Sequence, residues 1–489
     1  MAENPSPPFF VSTYSKLPES LFRLAETKPV EAPKVILLND RLAEDIGISA
    51  QWLHSSEALR VLSGNTSLPN VPRVAMAYAG HQFGHFVPSL GDGRAVLLGE
   101  IEGPDGQRRD LHLKGSGRTH FSRGGDGRAT LSAMLREYII SEAMAGLGIP
   151  TTRSLAVIAT GEKVPRERIE LGAVLTRVAT SHVRVGTFQY LAARGEEVTM
   201  QALVDFEIAR NFVGAPSGPD RFIWLLRQII ARQAPLIAKW MCVGFIHGVM
   251  NTDNMSIAGE TIDYGPCAFM DVFDPQKTFS SIDQNRRYAW DKQPVVALWN
   301  LTRLAEAMLP LFDADKDQAI VLAEAELKDF MPQFETAFEI GMAAKLGLAE
   351  VRDGDAELIA VTLQSLANAR SDFTLFFSIL TEFVQTQDDS KLVSLFGDSV
   401  SARNWLDKWK VRVNDKVQSA TLMQRANPIF IPRNHRVAQA LTAAELGDLQ
   451  PLHRLLKVVA SPFEEHVGED HLALPPLAEE AITQTFCGT

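Results

Sequence analysis

The chain has 489 residues, 46% hydrophobic and 22% charged, with 33 Gly and 26 Pro. This composition excludes a disordered chain, a collagen-like repeat and a small stapled scaffold, and predicts a large core spread over two or three folding units. A net charge of −11 excludes a surface that coats nucleic acid but leaves room for a local basic pocket.

Residues 1–80 carry Pro-rich punctuation around short helix-like pieces such as Leu42 to Ile46, and are expected to form an N-terminal extension packed on a main domain. Residues 81–190 change to short β-like runs and Gly-rich turns with one strong helix, and residues 191–489 are dominated by helical periodicity. The expected fold class is α+β, a mixed β-rich lobe followed by a helical lobe.

The first chemical signal is Leu90-Gly91-Asp92-Gly93-Arg94 ahead of the apolar run Ala95 to Leu98. Glycines before a strand let backbone N–H groups approach phosphate oxygens, although the same residues also make a plain tight hairpin. Next, Asp110-Leu111-His112-Leu113-Lys114 alternates, which sets Lys114 at a strand end, where it is either a solvated edge lysine or a nucleotide contact. Five glycines and three arginines then fall within Gly115 to Arg128, a combination suited to a polyphosphate. A helix is predicted from Leu131 to about Gly146, because Leu131, Met134, Leu135, Tyr138 and Ile139 share one stripe and Gly148 with Pro150 follow it. Glu137 lies off that stripe and Glu142 projects onto it, so periodicity favours Glu142 as the buried acid that would hold the lysine.

The sharpest constellation runs from His247-Gly248-Val249-Met250-Asn251-Thr252-Asp253-Asn254 to Asp263-Tyr264-Gly265. Two short strands joined by a turn at Ala258-Gly259-Glu260 would bring Asn254 and Asp263 to one side, an oxygen-donor pair suited to Mg²⁺ beside phosphates. The spacing compares with H-R-D-x-x-x-x-N followed by D-F-G, except that Gly248 and Val249 replace the Arg and the catalytic Asp.

With Gly80-His81-Gln82-Phe83-Gly84, Leu135-Arg136-Glu137-Tyr138, Asn427-Pro428 and Pro432-Arg433-Asn434-His435, these segments make most of the chain resemble the selenoprotein O (YdiU) family. The resemblance implies a protein-kinase-like bilobal fold that transfers AMP from ATP to Ser, Thr or Tyr hydroxyls of proteins, with the nucleotide turned round relative to a kinase. It implies that Lys114 contacts phosphate and pairs with Glu137, and that Gly91, Gly93, Arg94, Asp126 and Gly127 line the nucleotide. It further implies Arg177 and Arg184 on the phosphates, Asn254 and Asp263 on Mg²⁺ or Mn²⁺, and Asp253 as general base, with a place in the shell around the metal as its alternative role. UMP transfer from UTP stays open, as do two other readings: a conventional protein kinase, and a silent nucleotide-binding pseudokinase scaffold.

His81 and His85 have i, i+4 spacing, but Gln82 occupies the acid position of H-E-x-x-H and Gly84 disfavours a helix, so no zinc site is expected. Cys242, Cys267 and Cys487 are too scattered for a disulfide framework. Cys487 falls where many members of the resembled family carry Cys or selenocysteine, which raises a redox role. The first residues, MAENPSPPFF, lack a basic and apolar leader, and no run of about 18 apolar residues follows. A cytoplasmic protein is expected, with ATP and protein acceptors as partners and neither nucleic acid nor membrane.

Overall fold

Period-2 apolar runs broken by glycine turns build one antiparallel sheet in the first part of the chain. Its main strands are β1 Phe22–Leu24, β2 Lys34–Leu38, β3 Val74–Met76, β4 Ala95–Glu102, β5 Arg108–Lys114, β6 Arg153–Pro165 and β7 Ile169–Ala179. Their spatial order is β1-β3-β4-β5-β7-β6-β2, and the short strands Phe10–Val11 and Ala129–Thr130 attach to β4 and β7. The structure, a computed structural model, describes residues 7–396, 399–413 and 415–486. Cys487 lies outside the described residues.

The alternation in β5 has the expected consequence with one difference. Leu111 and Leu113 join Val96, Leu98, Val174 and Val178 in a core on one face, covered by the helices Asp40–Asp45, Ala50–Leu53 and Ser56–Leu62. The opposite face is polar yet not solvated, since Asp110, His112 and Lys114 are all buried. It looks towards the helix α1 Leu131–Gly146 and the helical region beyond. Strand register sets His112 opposite Arg177, so β5 and β7 present these side chains on one face.

The predicted stripe of α1 is buried throughout, and the Thr130 side chain caps the helix by accepting from the Ala133 N–H at 3.3 Å. From α2 Val185–Ala192 through α3 Asp220–Cys242 and α4 Gln293–Phe312 to Gln450–Ala460, helices dominate. Trp290–Phe312 is long and apolar enough to cross a membrane, and more than half of its most apolar stretch is buried within the protein.

Two expectations change. Residues 10–76 supply both edge strands of the sheet as well as β3. The hairpin expected over 255–263 does not form; the strands that pair are Phe245–Ile246 and Ala268–Phe269, which bracket the whole segment. Inside the bracket, Ser256 bridges to Arg184 and Thr261 to Thr151. Met255, Ile257 and Thr261 therefore place their backbone bonds on neighbouring segments, at Val185, Val183, Pro150 and Thr152, and only the turn at Ser256 to Gly259 closes on itself.

Candidate active site

The helical region fixes the segment 247–265 through side chains that satisfy its backbone. Gln293 accepts from the His247 N–H at 3.0 Å and donates to the Phe245 carbonyl at 3.0 Å, while Asn300 donates to Met250 at 3.0 Å. From α3, Gln233 donates to the Ser256 carbonyl at 2.6 Å and Trp240 Nε1 to Thr261 Oγ1 at 2.8 Å. His247 is fully buried and its Nε2 lies 2.9 Å from the Ile262 carbonyl. It is a scaffold residue that anchors the chain one residue ahead of Asp263.

Asp263 is held with φ at +64°, a left-handed conformation that Asp tolerates better than most residues. Its carboxylate converges with Glu137 on three cations. Arg177 bridges the two, donating from Nε to Glu137 and from a terminal nitrogen to Asp263. Lys114 Nζ lies 2.7 Å from Glu137 and 3.4 Å from Asp263, and Arg184 donates to Asp263 at 2.6 Å. Lys114, Arg177, Arg184 and Glu137 are all buried. Burial acts to raise the pKa of Glu137, but Arg177 and Lys114 outweigh it and bring it down to about 2. Burial likewise opposes ionisation of Asp263, and Arg177, Arg184 and Lys114 together hold it well below the usual carboxylate range. Three cations against two carboxylates leave an excess of positive charge, which favours an anionic ligand.

Glu137, and not Glu142, is the acid at Lys114. Glu142 instead pairs with Arg153 at 2.6 Å and accepts from Asn39 at 2.8 Å. Periodicity fails here because α1 is buried on more than its apolar stripe, and the flank carrying Glu137 faces the cations of the sheet.

These residues open onto a cavity of about 950 Å³. Gly91, Gly93, Arg94, Lys114, Asp126, Gly127, Arg177, Arg184, Asp253, Asn254 and Asp263 all line it, and Glu137 sits behind Lys114. Two glycines are spatially required. A methyl on Gly91, which has φ of +65°, would lie 2.2 Å from the Phe121 ring, and one on Gly127, with φ of +71°, would lie 2.1 Å from the Gly117 backbone. Asp126 is exposed and accepts from Arg166 at 2.8 Å and from the Arg128 N–H at 2.9 Å, so its visible work is to shape the glycine-rich loop.

Asp253 lies in the single turn Thr252–Asn254. It is buried, its Oδ1 has no hydrogen-bond partner, and burial pushes its pKa up to about 6 although the nearby Arg184 charge works against this. Asn254 donates its amide to the Val249 carbonyl at 3.0 Å. Among the described residues, no group of three or more His, Cys, Asp or Glu side chains forms a metal cage of its own. The cavity instead offers an all-oxygen donor set in Asn254, Asp263, whose oxygens are shared with the three cations, and Asp253 Oδ1, which has no hydrogen-bond partner; such a set suits a hard divalent cation completed by phosphate oxygens. His81 and His85 lie on opposite strands of a hairpin, Gly80–Gln82 with His85–Val87.

Sequence reasoning missed Tyr78, Asp92 and His112 as cavity residues. Tyr78 lies under the Arg184 guanidinium at 4.6 Å. Asp92 accepts from the Met76 N–H at 3.0 Å and lies 3.0 Å from His112 Nε2. Asp92 and His112 fall within the quoted motifs, so the signal was present, whereas Tyr78 stands in none of them.

Comparison with known proteins follows the same direction. The family model described as protein adenylyltransferase SelO matches residues 8–460. A protein nucleotidyltransferase YdiU of Rhodopseudomonas palustris (strain BisB5) is 51% identical over 486 residues, covering 98% of this chain and 99% of its own. The protein of the same name from Bradyrhizobium sp. (strain BTAi1) is 51% identical over 485 residues, with 98% and 99% covered, and that of Nitrobacter hamburgensis is 49% identical, with 98% and 96% covered.

Proposed function

The chain belongs to the SelO protein adenylyltransferase family and is an enzyme of the nucleotidyltransferase class, and from that premise we propose that it transfers AMP from ATP to Ser, Thr or Tyr hydroxyls of acceptor proteins, releasing pyrophosphate. The observation that carries this reading is the position of Lys114, Arg177 and Arg184 as a buried cation cluster in the same cavity as the Asp253 carboxylate, whose Oδ1 has no hydrogen-bond partner. A cluster of fixed cations stabilises charge that develops on a polyphosphate leaving group, and fixed charges need little reorganisation during reaction.

In this reading the β- and γ-phosphates face the cations, reversed relative to a kinase, and the α-phosphorus faces the acceptor. Asp253 takes the hydroxyl proton as the oxygen attacks in line, the bond from the α-phosphorus to the bridging oxygen breaks, and pyrophosphate leaves against Arg177 and Arg184. Asn254 and Asp263 would hold Mg²⁺ or Mn²⁺, which when bound neutralises phosphate charge. Gly91, Gly93, Arg94, Asp126 and Gly127 would line the nucleotide, and Glu137 keeps Lys114 and Arg177 in place. The corresponding architecture is a kinase-like pair of lobes, with residues 1–80 as an extension whose strands join the sheet of the first lobe, 81–190, and 191–489 as the second lobe, in a cytoplasmic protein. UTP as a second donor belongs to the same proposal.

Two features disfavour the other readings. Val249 is buried where a kinase carries its catalytic Asp, and a silent scaffold has no need of a buried carboxylate oxygen left without a partner. Mass spectrometry of acceptor proteins after incubation with ATP tests the proposal. The expected result is a gain of one AMP on a hydroxyl residue, lost in Asp253→Ala while ATP binding persists. A phosphoryl gain, or no gain with intact binding, would contradict it.

A further inference from the structure

Gly80-His81-Gln82-Phe83-Gly84 has no role in the chemistry above, yet its place in the fold is specific. The hairpin of Gly80–Gln82 with His85–Val87 lies against the turn that carries Asp253. The His81 N–H donates to Thr252 Oγ1 at 2.7 Å, and the Phe83 N–H donates to Asn251 Oδ1 at 3.0 Å. That same amide oxygen receives the Tyr288 hydroxyl at 2.7 Å. On the other side, the Ala79 N–H donates to the Gly186 carbonyl at 2.9 Å.

Two glycines permit this stacking. A methyl on Gly80 would lie 2.2 Å from Asp253 Oδ1 and 2.8 Å from its Cγ, and a methyl on Gly186 would lie 2.1 Å from the Ala79 carbonyl oxygen. Neither glycine has a left-handed backbone, so each is needed for space and not for its φ. Asp253 Oδ1 has no hydrogen-bond partner, and the Gln82 side chain that interacts with the carboxylate comes from this same hairpin. The backbone at Gly80 bounds the carboxylate on the Oδ1 side.

We infer that the Gly80–Val87 hairpin is a positioning element for Asp253, with Gly80 seating the carboxylate and the bond from His81 to Thr252 holding its turn in register. The inference rests on Asp253 as the proton acceptor proposed above. It makes Gly80 and Thr252 positioning residues, which touch neither ATP nor the acceptor.

The test combines steady-state kinetics with a stability cycle. Gly80→Ala should press on the carboxylate, and Thr252→Val should remove the acceptor of the His81 N–H at nearly constant volume. Displacement of a reacting group by about 1 Å costs up to about 100-fold in rate. Both variants should therefore lower kcat for AMP transfer by roughly ten- to 100-fold, with KM for ATP changed less than about twofold. Thr252→Ser, which keeps the hydroxyl, should restore most of the rate, as a purely space-filling role would not require. Gly80→Ala should also lower Tm clearly in the native chain and much less in an Asp253→Ala background, where the clash with the carboxylate is gone and only the 2.9 Å approach to Leu90 Cδ1 remains. An unchanged kcat in Gly80→Ala, or equal Tm shifts in the two backgrounds, would overturn the inference. Should the native chain transfer no AMP at all, the proposed function falls, and the Tm comparison decides the positioning contact by itself. If Gly80→Ala does not fold in the native background but folds with Asp253→Ala, the coupling is supported; failure in both backgrounds overturns it.

Discussion

Asp263 shows how much one side chain carries here. The sequence motif reads as a metal ligand alone, and on that view Asp263→Ala should spare the fold. The structure adds that its carboxylate also neutralises Lys114, Arg177 and Arg184, a neighbourhood that spacing cannot reveal because the three cations come from two strands and a helix N-terminus. Asp263→Asn is therefore expected to abolish transfer and also to destabilise the protein by on the order of 3 kcal/mol, since it leaves buried cations underneutralised. Thermal unfolding alongside an activity assay checks this; a fully active variant, or an inactive one with native Tm, would limit Asp263 to a single role. Glu137 yields a pH prediction. Its folded-state pKa of about 2 lies below the ordinary 4.5, so its stabilisation is complete above about pH 4.5 and is lost as pH falls towards 2. Glu137→Gln should lower stability at neutral pH and flatten the acid limb in that window, as read by urea midpoints from pH 5 to 2.5. The choice of Glu137 over Glu142 was not legible from periodicity, because a helix buried on several sides has no single inner stripe; it came only from the family resemblance.

At the scale of elements, α1 and β5 were legible because each carries a clean period, 3.6 or 2, with matching ends. The segment 255–263 was not, because its backbone partners are Arg184 and Thr151, about 70 and 110 residues away in sequence. The glycine-rich loops were legible as loops, while their reason lies in tertiary contact: Gly91 passes against Phe121 and Gly127 against Gly117. Gly91→Ala combines a left-handed φ with a 2.2 Å approach to the Phe121 ring, so the 90–94 turn, the Phe121 ring or both must shift, and each lines the cavity. ATP affinity should fall by about tenfold or more, with a stability loss of roughly 1–2 kcal/mol. Isothermal titration with ATP and Mg²⁺ measures the first, and native affinity would show that this turn does not hold nucleotide.

Across the whole molecule, the sheet is closed by residues that the sequence presents as an extension. Phe10 pairs with Ile101, Thr13 and Tyr14 donate backbone N–H groups to the fully buried Glu100, and β1 and β2 form the two edges. No chemical motif marks this segment, since its work is pairing and burial. Removal of residues 1–38 should expose both edges, strip Glu100 of its donors and give an insoluble or unfolded product; a soluble, cooperatively folding truncation would show that the segment is dispensable. The division into a sheet-rich first part and a helical second part was readable from texture, and the cavity lies where they meet, lined from both. In the proposed reaction the cations of the first part hold the β- and γ-phosphates, leaving the α-phosphorus for an acceptor. Incubation of the protein and candidate acceptors with α-labelled and γ-labelled ATP in parallel tests it most directly. The α-label should enter protein and the γ-label leave as pyrophosphate, with both impaired in Arg177→Ala and Arg184→Ala; entry of the γ-label without the α-label would rule this orientation out.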